Sequence, residues 1–265
     1  MAYKETGRYK AAVASFLEAA SHDIQQVDNA PQAKVTVEFS GEPGKDGEKD
    51  QAIPGKIAYS LVYHRTLVSF VERLDPKPKE ALSLSSYCQH IRRWEIPRSS
   101  YPEGLSGYKS WRISLNKYHT NCAFDVLEQS GYSQTQDTEI FDTVRDLLQK
   151  KTLRGGNDRG EEDMQIFEGN YSSIFHLPSN FATVVPVLTY TLSPWPFFTT
   201  DAICLTFLEL EFSEFLRKHD EDKMVKIVQK TWGKMGARGR TYALDHLAKE
   251  LPEEAQGVLG KALQG

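Results

Sequence analysis

Three ionisable residues occupy positions whose neighbours at helical spacing are otherwise apolar. His90 lies between Tyr87 at i−3 and Trp94 at i+4, and His119 between Leu115 and Ala123 at i±4. Asp201 precedes Leu205 and Leu208, and Glu209 continues that face between Leu205 and Phe212. A buried charge costs several kcal/mol unless it is paired, neutralised or metal-bound, so each position calls for a partner. Two neutral imidazoles and a carboxylate from separate helices form one donor set for a divalent ion that keeps positions open for water, as metal-dependent hydrolysis requires. On that reading His90, His119 and Asp201 ligate an ion of unspecified identity, with Glu209 as catalytic base or support. The same residues admit a structural reading, in which each histidine bonds to a neighbouring helix and Asp201 pairs with Arg92 or Arg93.

The densest polar cluster is QHIRRWEIPRSSYP (89–102) followed by GYKSWR (107–112). Arginine forks and aromatic faces suit a phosphate-bearing or nucleotide-like ligand, through bidentate hydrogen bonds and stacking. The candidates for substrate binding are Arg92, Arg93, Trp94, Arg98, Trp111 and Arg112. The alternative is an ion-paired helix end, with the arginines meeting Glu95 and Glu103. The two readings separate an enzyme acting on a phosphorylated small molecule or nucleotide from a non-catalytic nucleotide- or RNA-binding protein. A further polar run, RKHDEDK (217–223), reads as a helix junction with Asp220 or Glu221 near a helix start.

Helices must carry these residues, because the apolar residues recur mainly at three- and four-residue spacing. The pattern predicts helices over 9–20, 57–74, 80–94, 107–131, 135–151, 201–218, 223–234 and 241–251, with a short one after Pro252. Gly131 supplies a stop, and the prolines of IPRSSYPEG make that stretch an ordered turn. A β-like run, KVTVEF (34–39), precedes a flexible loop over 40–56 rich in glycine, proline and charge. The expected fold is all-α, a single helical domain over 1–265 with a short β-like excursion at 34–39.

With 32 Lys+Arg against 36 Asp+Glu the formal charge is −4, so no global basic field points to nucleic acid. An apolar share of 40% and a charged share of 26% suit a globular protein and exclude general disorder or a multi-span membrane protein. Lys4, Glu5, Arg8 and Lys10 interrupt the first residues, which therefore lack a secretory apolar stretch, and a cytoplasmic location is expected. Cys88, Cys122 and Cys204 lie far apart in apolar patterns without metal-type spacing and read as reduced core thiols.

One segment departs from this average. Residues 169–200 contain no Asp, Glu, Lys or Arg, where the overall composition would place roughly eight. Pro178, Pro186, Pro194 and Pro196 spoil both helical periodicity and a membrane span. Removing the segment joins Glu168 to Asp201 and makes MQIFE-DAICLTFLELEFSEFLRKH one continuous helical pattern. The segment is therefore read as an irregular insertion: either an intron translated in frame, whose splice ends the Gly-Asn and Thr-Asp pairs can encode, or a long apolar surface loop.

The blocks QHIRRWEIPRSSYP, GYKSWR, KYH (117–119), DAICLTFLELEF, KHDEDK and TWGKM resemble, in order and spacing, the signature blocks of the family catalogued as domain of unknown function 4202. The resemblance covers the chain from about 8 to 251, and in that family the block around Glu168 runs straight into DAICL. The order His90, His119, Asp201 also resembles, distantly, the HD-type metal phosphohydrolases, whose ligands come from several helices. The departures are that Ile91 follows His90 where an aspartate would stand, and that the first histidine could only be His64, on an upstream helix. Fungal members are sometimes labelled glutamyl-tRNA synthetase-like. His90-Ile91 and Lys234-Met235-Gly236-Ala237-Arg238 faintly resemble the two class I synthetase signatures, but Arg92-Arg93 follow within a helical pattern and no nucleotide-binding α/β fold is visible, so aminoacylation is not expected.

Overall fold

Thr6 sets the first helix: its Oγ1 accepts the N–H of Tyr9 at 3.3 Å, and α1 (Gly7–Ser21) buries Tyr9, Ala12, Val13, Phe16 and Ala20 along one stripe. The computed structural model describes residues 2–28, 56–149 and 195–264. The β-like run at 34–39, the loop at 40–56 apart from Lys56, and positions 169–194 lie outside the described residues. The chain divides into two compact units, Met1–Gln149 and Lys150–Gly265.

In the N-terminal unit, β1 (Gln26–Asp28) pairs antiparallel with β2 (Lys56–Ala58), Val27 opposite Ile57. This ribbon takes up residues 57 and 58, so α2 (Tyr59–Leu74) begins two residues later than the periodicity predicts. Asp23 is buried beside that start, where its Oδ2 accepts the N–H of Ser60 at 3.1 Å and the Ser60 hydroxyl at 2.5 Å. A carboxylate at a helix N-terminus is favoured both by the orphan N–H groups and by the helix dipole.

The central element is α3 (Glu80–Cys88), packed against α1, α2 and the helix Thr138–Leu148. All its residues from Ala81 to Cys88 are buried, three serines among them. Their hydroxyls are all satisfied: Ser83 with Tyr9 Oη of α1 at 2.7 Å, and Ser85 on Ala81 O and Ser86 on Ser83 O, each at 2.6 Å. The predicted continuation to 94 does not form. Arg92 adopts a left-handed φ of 50°, strained for a side-chain-bearing residue, and 3-10 turns follow at Arg93–Glu95 and Arg98–Ser100.

The long α4 (Gly104–Gln129) ends at the expected glycine. Tyr132 N donates to Leu127 O and Gly131 N to Glu128 O, both at 3.0 Å, with Gly131 at φ 93°, the paired bonds of a Schellman stop. The helix α5 (Thr138–Leu148) buries Phe141, Val144, Leu147 and Leu148 and packs against α3 and α4.

In the C-terminal unit, α6 (Trp195–Thr206) includes the last six residues of the uncharged segment, which the composition leaves irregular. Pro196 falls in the first turn, where its missing N–H costs nothing. A π-helical turn (Phe207–Glu211) carries the chain into α7 (Phe212–Lys218). Asp220 then caps α8 (Glu221–Lys234) through a 2.8 Å bond from Lys223 N, as the junction reading expects. The remaining elements are α9 (Ala237–Tyr242), a second π-helical turn (Ala243–Leu247) and α10 (Glu253–Gln264).

The all-α expectation holds, with one short ribbon as its exception among the described residues. The three cysteines are buried free thiols, and burial pushes the Cys88 thiol well above its ordinary range. Among the described residues no helix is long and apolar enough to cross a membrane.

Candidate functional site

Where α2, the end of α3 and α4 meet, the N-terminal unit gathers imidazoles and an amide. His64 comes from α2, Gln89 and His90 from the turn after α3, and His119 from α4. His64, Gln89 and His119 are no more than 2% exposed. The His90 ring stacks on Tyr63 at 4.3 Å between centroids and lies 6.1 Å from the His119 ring. The two histidines singled out by apolar periodicity are therefore brought together. Trp94 is not a helical neighbour of His90, because α3 has already ended; Tyr63 takes that place.

His64 decides where α3 stops. Its Nε2 accepts the His90 N–H at 3.1 Å, replacing the carbonyl one turn back that a continuing helix would offer. An Nε2 that accepts leaves the proton of a neutral ring on Nδ1. His64 thus faces the site as a neutral donor, and its Nε2 is not open to a metal. Burial drives its pKa down to about 3.

That depression has a consequence for stability. A folded-state pKa far below the unfolded value of about 6.5 means that the unfolded chain takes up the proton first as pH falls. His64 then contributes fully above pH 6.5, and its contribution is lost as pH drops towards 3, by up to about 1.4 kcal/mol per pH unit. Urea unfolding at pH 7 and pH 5 is expected to show the loss. His64→Gln, which keeps an acceptor for His90 N–H, is expected to flatten it; an unchanged slope in that variant would remove His64 as the cause.

Among the described residues, His64 Nδ1 and both Nε2 and Oε1 of Gln89 are buried polar atoms without a hydrogen-bond partner. The sequence reading passes over Gln89, although it continues the Leu82, Ser85 and Ser86 face of α3 at helical spacing. Among the described residues no group of three or more His, Cys, Asp or Glu has the geometry to hold a metal.

Asp201 belongs to the C-terminal unit and is 2% exposed. Its Oδ1 accepts Gly236 N–H at 2.7 Å and its Oδ2 accepts Gly239 N–H at 3.1 Å. Both donors lie at the N-terminus of α9, so the carboxylate holds that helix start and answers its dipole. Gly236 is the glycine of the KMGAR run, which here forms a helix junction. Glu209 is half-buried in the π-helical turn of the same unit.

The arginine cluster is largely engaged within itself. Arg92 Nε donates to Glu95 Oε1 at 2.6 Å, Arg93 lies 5.2 Å over the Trp111 ring, and Arg98 Nη1 donates to Tyr101 O at 2.9 Å. Trp111 Nε1 donates to Ile96 O at 2.9 Å, tying the turn to α4. Partial burial disfavours the Glu95 carboxylate, but hydrogen bonds from Arg92 and Tyr118 outweigh it and hold its pKa below the usual range. Trp94 is half-buried in its 3-10 turn. Arg112 is also half-buried, and it shares the His119 face of α4 seven residues earlier, about 10.5 Å along the axis.

Fold and site together define a mostly helical protein with a buried histidine and amide centre in its N-terminal unit. The chain belongs to the family described as Domain of unknown function (DUF4202), whose model matches residues 34–183 and 198–259. The gap between the two matched segments, 184–197, falls inside the uncharged segment and is shorter than the 169–200 set by composition. No curated protein and no solved structure matches the chain.

Proposed function

We propose that the N-terminal unit is a hydrolase site for a phosphorylated small molecule, and that a nucleotide is the substrate that suits it best. The observation that carries this is that, among the described residues, His64 Nδ1 and the Gln89 carboxamide are buried without a hydrogen-bond partner beside the His90 and His119 pair. Each buried polar group left unmade costs about 1–3 kcal/mol, so a folded chain keeps such groups where a ligand completes them. A carboxamide offers a donor and an acceptor side by side, the complement of a nucleobase edge such as that of adenine. His64 adds a neutral donor, and Arg112, on the His119 face, supplies a cation for the phosphate.

His90 and His119 would hold a divalent ion, which when bound supplies an activated water and a Lewis acid. Tyr63 fixes the His90 ring by stacking. The rival reading, a nucleic-acid binder built on the Arg/Trp cluster, is weakened because Arg92, Arg93 and Arg98 each meet a partner within the cluster.

The test pairs metal analysis with nucleotide binding on the full chain. Wild type is expected to retain about one divalent ion, and His90→Ala to weaken retention at least tenfold. Gln89→Leu is expected to lose about tenfold or more in nucleoside monophosphate affinity while its melting temperature stays level or rises, because an unsatisfied amide has been removed. Metal content unaffected by His90→Ala would end the ligand role, and undiminished nucleotide binding by Gln89→Leu would end the base-recognition role.

A further inference from the structure

The helix α8 carries a feature that the proposed hydrolase site does not use. Lys223, Lys226, Lys230 and Lys234 are all exposed and follow one another at three- and four-residue steps. At 3.6 residues per turn they fall within an arc of about 80° and form a stripe about 16 Å long. Met224 and Val228 lie on the opposite side and are buried. Lys223 Nζ lies 3.2 Å from His219 Nδ1, and among the described residues Lys226, Lys230 and Lys234 make no ion pair. Of the acidic residues of this helix, Glu221 is taken by Lys261, and Asp222 stands one turn before Lys226, about 40° outside that edge of the stripe.

A straight row of cations repeating once per turn fits a polymer that carries one negative charge per unit. We propose that the α8 lysine stripe binds the phosphodiester backbone of nucleic acid. An anionic membrane is the weaker fit, because a helix lying in a bilayer surface inserts large apolar side chains beside its cations. Among the described residues the exposed large apolar ones are Ile24, Leu105, Tyr108, Ile113, Phe215, Leu244 and Leu263, none of them on α8. The stripe makes no base contacts of its own, so the binding is sequence-tolerant and strongly salt-dependent.

The experiment is fluorescence anisotropy of the full chain with labelled 20-nucleotide oligouridine, the matching DNA strand and a duplex, at salt from 25 to 200 mM. Four phosphate contacts predict a slope of log K against log salt of about −2.8 for a single strand. The triple variant Lys226→Gln, Lys230→Gln, Lys234→Gln is expected to cut that slope to about −0.7 and to lose more than tenfold in affinity at 50 mM salt. Its melting temperature should match wild type, since all three side chains are exposed. His90→Ala should bind like wild type, which separates this surface from the hydrolase site. An affinity and slope unchanged in the triple variant would overturn the proposal. So would tighter binding to phosphatidylserine vesicles than to any oligonucleotide, or no binding at 50 mM salt.

Discussion

Gly239→Ala is expected to destabilise the C-terminal unit by about 3–5 kcal/mol, the sum of an overpacked contact and damaged charge-assisted hydrogen bonds. A Cβ at this position would lie 2.5 Å from Asp201 Cγ and 2.7 Å from its Cβ. The carboxylate has little room to retreat, because it is buried and held by the N–H groups of Gly236 and Gly239. Making space means breaking those bonds and leaving a buried charge partly unpaired. At about 2–4 °C per kcal/mol for a chain of this size, the melting temperature should fall by roughly 10 °C. Asp201→Asn should reproduce much of the loss, because an amide nitrogen then faces a backbone donor. Gly236→Ala is the internal control: its added Cβ would lie 3.3 Å from Asp201 Oδ2, which a few tenths of an ångström relieves. Equal melting temperatures for the two alanine variants would show that Asp201 does not anchor α9.

Gly107→Ala is the second large effect, with a loss of at least about 3 kcal/mol, at or beyond the upper end of ordinary overpacking. The added Cβ would stand 1.8 Å from the Pro102 carbonyl oxygen and 2.7 Å from its carbon, so backbone rather than a side-chain tip must move. That movement lifts the turn before α4 away from the helix. The 2.9 Å bond from Trp111 to Ile96 O and the stacking of Arg93 on Trp111 go with it. Trp111, now 7% exposed, should meet water, and a red shift in tryptophan emission at low denaturant reports it. Trp111→Phe, which keeps the ring packing and drops only the N–H bond, should cost about 1 kcal/mol. A Gly107→Ala protein with native emission and stability would mean that the turn has slack that the structure does not show.

The helices were legible because their apolar residues repeat near every 3.6 positions and because their stops are local. Gly131 and Asp220 act through bonds to residues within four positions, so their roles follow from nearby sequence. The end of α3 was not legible. Nothing within QHIRRW forbids a helix; its termination depends on His64, 26 positions earlier, offering Nε2 to the His90 N–H. The β1 and β2 ribbon escaped for a related reason, since each three-residue strand is stabilised by a partner some 30 residues away.

The site divides along the same line. Apolar periodicity marked His90 and His119, and their rings lie 6.1 Å apart. It could not assign Gln89, because a glutamine at a helix end is ordinary until its burial and the absence of a partner are seen. For Asp201, sequence alone established that a buried carboxylate needed partners. Only the fold showed backbone donors 35 and 38 positions on. Local pattern sets what each residue must bury or bond, because propensity and periodicity act within a turn or two. Which distant group answers that requirement is decided by packing, where chain segments remote in sequence compete for the same few ångströms.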